Sequence, residues 1–399
     1  MLGSTESSLP LMGAARMTTP LEMTRDRFDP SAALREVAAR PGLPRITSLF
    51  GPARLAVRHE DVRAVLGNSV EFSNGAQSRL QGTEDVGFIL GYDPPAHTRL
   101  RRMLSPEFTL RRMRAMRPRI EEIVDDALSA MAAAGPGVDL VAEFALPVPS
   151  LVICELLGVP YSDRAAFQSL TRSQLDFAIP LEERTRAGEE MGQYLSELVR
   201  QHQQAPGEDL IGALITQHGD DLSFAELVGL ASMLLIGGHE TTSNMLGLGS
   251  LLLLENPDQL ALMRDDPAVV EGGVEELVRY LSVVHFGVPR EVVTELTVGG
   301  DRLEVGEFVL CLMHLANRDA AFIPDGDRFD LTRKPAPHLA FGHGIHHCVG
   351  APLARLEMAV AFPALFRRFP TLRLAVPSSE IAFRTTNPVY GVEALPVAW

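Results

Sequence analysis

From residue 223 to residue 255 the chain is apolar at almost every position, broken only in the middle by His239-Glu240-Thr241-Thr242-Ser243-Asn244. Ser223-Phe224-Ala225-Glu226 has the spacing of a capping box and Asn256-Pro257 that of a helix stop, so the stretch reads as one long helix. A helix apolar on nearly every face runs through the centre of a molecule. Apolar positions at helical spacing predict further helices over 111–133, 148–157, 182–203, 257–264, 269–281 and 351–369. Alternation over 45–57, around Gly51-Pro52, and over 292–313, around Gly299-Gly300, predicts hairpins of a small sheet. With no internal repeat and no linker-like segment, the expected fold class is mainly α with small β-sheets (α+β). One continuous domain over 28–399 is expected behind a mobile N-terminal tail, 1–27, rich in Ser, Thr and Pro.

The 399 residues are 46% hydrophobic, enough for a large core. The tail lacks the basic start and apolar run of a signal peptide, and neither apolar half of the long helix reaches membrane-spanning length, so a cytoplasmic, soluble protein is expected. Cys154, Cys311 and Cys348 are far apart and odd in number, a poor disulfide framework that leaves at least one free thiol. A net charge of −15 argues against nucleic acid as a partner. Against that trend, residues 99–119 hold eight arginines and the single carboxylate Glu107.

Two segments resist a packing explanation. Gly237-Gly238 inside a helix costs about 1 kcal/mol per glycine against alanine, and a buried Glu240 costs more, so a loosened helix and a proton-handling group are wanted there. The other is Phe341-Gly342-His343-Gly344-Ile345-His346-His347-Cys348-Val349-Gly350, which leads into a helical stretch containing Arg355. Glycines at 342, 344 and 350 allow a flat group to approach the backbone, and the helix start that follows favours negative charge on the Cys348 sulfur. His343, His346, His347 and Cys348 also admit a zinc site in a structural protein, although adjacent ligands strain a tetrahedral shell and no second ligand pair is near.

This loop resembles the haem-binding segment of the cytochrome P-450 family, Phe-x-x-Gly-x-x-x-Cys-x-Gly. The resemblance implies haem b with Cys348 as the axial ligand of the iron, Phe341 packed near the sulfur and His346 at a haem propionate. Glu276-Leu277-Val278-Arg279 is similar to the family's Glu-x-x-Arg helix, whose structural ion pair is expected to be completed by Arg328. Asp93-Pro94-Pro95-Ala96-His97-Thr98-Arg99-Leu100-Arg101 resembles the segment over the propionates, with His97 and Arg101 on one carboxylate and Arg290 on the other. Gly237-Gly238-His239-Glu240-Thr241-Thr242 matches the family's central helix, which implies that Thr241 steadies the reacting oxygen and Glu240 feeds protons from solvent. The implied architecture is a prism-like helical domain with haem between the central helix and the cysteine-loop helix.

A monooxygenase using O2, with electrons from a ferredoxin and its reductase, is therefore expected. The ferredoxin is expected to dock on the arginines of 99–119 and on Arg355. The substrate chamber is expected to draw on 282–288, on the loop 77–92 and on the turn 385–391, with Leu90, Leu234, Gly238, Val284 and Val389 as contacts. A bulky macrolide or other polyketide, in antibiotic-type secondary metabolism, fits the class, and a monomer satisfies the pattern. The alternatives keep the haem fold but change its use: aryl coupling, peroxide-driven oxidation or an inactive recruitment scaffold.

Overall fold

A computed structural model describes residues 19–75 and 86–399. The helix Phe224–Leu254 is built as its sequence demands. Ser223 Oγ accepts from Glu226 N at 3.2 Å, and the Glu226 carboxylate accepts from Ser223 N at 2.9 Å. It packs against the helices Pro147–Leu157, Leu181–Gln204 and Ala351–Arg368, so most of its length is core. Gly238 permits one of these contacts, since a Cβ there would lie 2.7 Å from Ile153 Cδ1. One of the two mid-helix glycines thus has a packing role after all.

The remaining helices extend the expected set. Leu110–Ala134, Pro257–Asp265 and Pro267–Leu281 fall within a few residues of the predicted spans, while Ala32–Ala38, His59–Gly67, Arg164–Leu175 and Leu210–His218 are additional. These last are short amphipathic pieces whose pattern is weak over so few turns.

The main sheet is mixed. It runs β1 (Arg45–Ser48), β2 (Gly51–Ala56), β7 (Phe308–Cys311), β4 (Val288–Val292), β3 (Phe72–Ser73), with β2 and β7 parallel and the other pairs antiparallel. Ser48 pairs with Gly51, so the first hairpin turns at Leu49-Phe50, two residues before the expected Gly51-Pro52. The second turns where expected: Val298 of β5 (Leu296–Val298) faces Asp301 of β6 (Asp301–Leu303), and Gly299 and Gly300 both have positive φ, as a two-residue hairpin requires.

The expected tail requires a correction. Residues 1–18 lie outside the described residues, but 19–27 are folded: Met23 is fully buried, and Arg25 donates to the carbonyls of Leu281 and Ser282 at 2.7 Å each. Tyr390 Oη donates to Arg27 O at 2.7 Å, so this strap ties the end of the helix Pro267–Leu281 to the C-terminal turn.

The buried Glu276–Arg279 pair is present, with nitrogen–oxygen distances of 2.7 and 2.9 Å. Its completing arginine is Arg333, 3.3 Å from Glu276, and not Arg328. The Arg328 guanidinium is 70% exposed and faces Asp330, whereas its carbonyl accepts from Arg279 and Arg333. An exposed side chain with a useful carbonyl leaves no trace in a motif.

Candidate functional site

Cys348 follows the 3-10 turn Gly344–His346 and stands three residues before the start of the helix Ala351–Arg368. Its amide donates to Phe341 O at 2.8 Å, closing the loop on itself. Gly342 and Gly344 have φ of 74° and 72°, and a Cβ at Gly344 would strike Leu66 O at 2.6 Å. These two positions need glycine, whereas Gly350 has φ of −80° and supplies an amide directed at the sulfur. The Cys348 residue is accessible, and desolvation by the protein around the sulfur pushes its thiol pKa up, opposed by the Gly350 amide, Arg101, the Ala351 amide and Arg355. The Phe341 ring lies under the Arg355 guanidinium, 4.4 Å from its centroid.

His97, Arg101, Arg290 and His346 come together from a helix, a strand and the cysteine loop. The rings of His97 and His346 are 4.1 Å apart. Burial, then His97, Arg290 and Arg101, lower the His346 pKa to about 3. Among the described residues this cluster has almost no acceptors. His97 Nδ1 and both His346 nitrogens are buried without a partner, the Tyr92 backbone lying near the His346 ring but outside hydrogen-bonding geometry. Arg290 is buried and, among the described residues, donates to Pro289 O alone, at 2.9 Å. The nearby carboxylate, Asp93, is already engaged by Ser73 Oγ and Asn74 N. Buried donors of this kind call for a ligand carrying negative charge. A metal macrocycle with two carboxylates, held by a thiolate, meets the donor set.

On the central helix, Thr241 Oγ1 donates to Gly237 O at 2.8 Å, and a Cβ at Gly237 would meet nothing within 4 Å. Thr241 thus sits beside an open stretch of the helix. Glu240 is buried and turned elsewhere, accepting from Arg384 Nη1 at 3.1 Å and Asn244 Nδ2 at 3.2 Å. His239 Nε2 lies 3.9 Å from Glu240, and burial holds its pKa below the ordinary histidine value. Arg384 carries no sequence signal, since it meets Glu240 across 144 residues of chain.

The expected chamber contacts are scattered. Val284 and Val389 form a β-bridge, and Tyr390 N donates to Val283 O at 2.7 Å. Leu234 and Val389 are packed into the main core, Gly238 is turned to Ile153, and Leu90 is exposed at its side chain. Residues 77–85 of the expected loop lie outside the described residues.

Half of the arginine stretch is paired. Arg99 pairs with Glu226, Arg112 with Glu107, Arg117 with Glu121, and Arg119 with Glu122 and Glu155. Arg355 is held by Glu275 at 2.5 and 3.0 Å, so it is not a free docking cation. Arg102, Arg111 and Arg114 are exposed and have no ion-pair partner among the described residues. The zinc alternative finds no geometry: among the described residues no three His, Cys, Asp or Glu side chains are gathered to hold a metal ion. Nor is any described helix long and apolar enough to cross a membrane.

Comparison with known proteins matches residues 43–376 to the cytochrome P450 family model. Cytochrome P450 FAS1 of Rhodococcoides fascians is 43% identical over 393 residues, covering 95% of this chain and 98% of that one. A crystal structure of CYP105P1 in complex with filipin I superposes with a TM-score of 0.89 at 43% identity, over 96% of this chain and 98% of that one. OxyB from teicoplanin biosynthesis, solved in complex with the X-domain, gives 0.86 at 45% identity, over 96% of this chain and 100% of that one.

Proposed function

Because the chain belongs to the cytochrome P450 family and is a monooxygenase of that family, we propose that it inserts one oxygen atom of O2 into a bulky apolar small molecule of macrolide or polyketide type, by hydroxylation or epoxidation. The observation that carries the reading is the cluster of two guanidinium groups, Arg101 and Arg290, with the unpartnered imidazoles of His97 and His346 beside the Cys348 loop. In this reading Cys348 holds the iron of haem b, His97 and Arg101 bind one propionate, and Arg290 and His346 bind the other. Neutral His346 accepts or donates as the tautomer allows, while the two guanidinium groups supply the positive charge.

The bound haem supplies redox activation of O2. The chain supplies the surroundings. Amides of Gly350 and Ala351 stabilise negative charge on the Cys348 sulfur. Thr241 offers a hydroxyl already oriented by Gly237 O, and Glu240 is the acid from which protons reach the chamber side of the helix. Electrons come from a ferredoxin and its reductase, which dock through Arg102, Arg111 and Arg114. The protein is placed in the cytoplasm as a monomer, within secondary metabolism.

A second reading, oxidative aryl coupling, is favoured by the likeness to OxyC, a cytochrome P450 implicated in an oxidative C–C coupling reaction during vancomycin biosynthesis, which is 39% identical with a TM-score of 0.87. Two measurements decide. The ferrous carbonyl spectrum of the purified holoenzyme should show the red-shifted Soret band of thiolate ligation, and Cys348→Ser should abolish it. A native-like spectrum in that variant overturns the ligand assignment. Turnover under labelled O2 should place one labelled atom in the product, whereas a coupled product without label selects the second reading.

A further inference from the structure

The helix Pro267–Leu281 carries two adjacent carboxylates that serve different partners. Glu276 turns to Arg279 and Arg333, whereas Glu275 turns to the approach to the cysteine loop and to the helix that follows it. Its oxygens accept from Arg355 Nε at 2.5 Å and Arg355 Nη2 at 3.0 Å, a two-point grip on the guanidinium, and one of them also meets His338 Nε2 at 3.0 Å. The Ala340 amide donates to His338 Nδ1 at 3.3 Å, so that nitrogen is the acceptor and Nε2 is the donor to Glu275. Burial works against charge on Glu275, yet His338 and Arg355 bring its carboxyl down to about 2.

Both partners of Glu275 flank one ring. The Arg355 guanidinium lies over Phe341, 4.4 Å from its centroid, and the His338 ring stands 6.0 Å from the same centroid. Phe341 O accepts from the Cys348 amide at 2.8 Å, so whatever fixes Phe341 also fixes the loop that presents the sulfur. Charge reaches the sulfur as well: burial raises the Cys348 thiol, and Arg355 is among the groups that oppose it. Alone, the Arg355 cation would favour added negative charge at Cys348, but the Glu275 carboxylate brings the pair to zero net charge. Arg355 is 37% exposed and Glu275 20%, so solvent screens the pair and its influence is modest.

We propose that Glu275 is a positioning residue for the cysteine ligand: it clamps Arg355 on the Phe341 ring and cancels its charge, which keeps the Cys348 sulfur strongly electron-donating and a haem iron bound to it hard to reduce. The inference rests on the reading of Cys348 as the haem ligand. One electron entering the iron and its sulfur makes the site more negative by one charge. An uncompensated Arg355 would stabilise that added charge and ease reduction. With Arg355 removed and Glu275 left, the carboxylate would oppose it.

The test uses the haem-loaded protein without substrate or protein redox partner, held at a fixed potential in an optically transparent cell, and reads the ferrous-to-ferric ratio from the Soret band. Glu275→Gln, which keeps the shape of the side chain, should raise that ratio by about three- to tenfold, equivalent to 30–60 mV for one electron. Arg355→Met should lower it, Arg355→Lys should stay near native, and Glu275→Gln combined with Arg355→Met should return close to native. The C–O stretch of the ferrous carbonyl adduct, read in the infrared, should rise in Glu275→Gln and fall in Arg355→Met, because a less donating sulfur leaves less electron density on the carbonyl. An unchanged ratio in Glu275→Gln overturns the proposal. So do shifts of the same sign in Glu275→Gln and Arg355→Met, which would mark a loosened loop and not a charge balance. If the unaltered protein lacks the red-shifted carbonyl Soret band, the ligand reading itself falls; with that band present in every variant, the ratios bear on Glu275 alone.

Discussion

His97 and His346 stand with their rings 4.1 Å apart, and three of their four ring nitrogens are buried without a hydrogen-bond partner among the described residues. With Arg101 and Arg290 beside them, the pair is an arrangement that costs stability until negative charge arrives. The haem carboxylates should therefore be a large part of what retains the cofactor. Arg290→Leu and His97→Phe should each speed haem transfer to apomyoglobin by roughly tenfold or more, at about 1.5–3 kcal/mol per charged hydrogen bond. Transfer rates equal to native would show that these groups do not hold the propionates.

A second consequence concerns acid. His285 is fully buried, donates through its ring to Asn387 O and has its pKa lowered to about 3, first by burial and then by Arg25. His314 is lowered well below the ordinary value by burial and the same arginine. Each is neutral when folded and takes up a proton on unfolding below about pH 6.5. Their neutral burial thus supports the fold above that pH and loses its contribution as pH falls toward 3, by up to about 1.4 kcal/mol per pH unit per proton. Urea unfolding between pH 7 and pH 5 should show this slope, flattened in His285→Gln. An unchanged slope in that variant would remove His285 from the account.

Thr241 is the next case. Its hydroxyl is tethered to Gly237 O, so truncation removes a proton-bearing group without opening a packed core. Thr241→Ala should keep substrate-free NADH consumption while sending most electrons to peroxide, and Thr241→Ser should behave as native. A native peroxide ratio in Thr241→Ala would show that this hydroxyl is not used.

For the reductase partner, pairing decides which arginines matter. Arg112 covers the buried Glu107 at 2.6 Å, so reversing it exposes a folding cost and not a docking one. Arg111 and Arg114 are exposed and have no ion-pair partner among the described residues. Arg111→Glu with Arg114→Glu should slow reduction by ferredoxin, with the difference from native shrinking as salt rises. A rate unchanged at low salt would exclude this face.

Legibility in the sequence follows the range of each interaction. The central helix announces itself because a capping box and an apolar run are local, and the cysteine loop because Gly342 and Gly344 must adopt positive φ. His97 and Arg101 share a helix face, so their cooperation was also readable. By contrast, Arg384 reaches Glu240 from 144 residues away, and Arg25 crosses 256 residues to Leu281 O. Neither position has a local pattern that would distinguish it from a surface arginine. Ion pairing across the fold carries no local signal either, so the density of arginine over 99–119 does not disclose that half of these charges are matched.

The replacement of Arg328 by Arg333 in the buried ion-pair network gives the sharpest energetic test. Glu276 is nearly inaccessible and is held by Arg279 on both oxygens, with Arg333 and the Asp330 amide added to one of them. Removing Arg279 leaves that carboxylate desolvated, and it also frees the carbonyls of Asn317 and Gly326, each 2.8 Å from its guanidinium. Arg279→Leu should cost about 3–5 kcal/mol or prevent folding outright. Arg333→Leu should cost less, because Arg279 remains, yet clearly more than Arg328→Leu. Arg328 is 70% exposed and offers the network only its carbonyl, which leucine retains, so that variant should stay within about 0.5 kcal/mol of native. Chemical unfolding of the three variants ranks them, and an Arg328→Leu protein as unstable as Arg333→Leu would reinstate the arginine that the motif alone suggested.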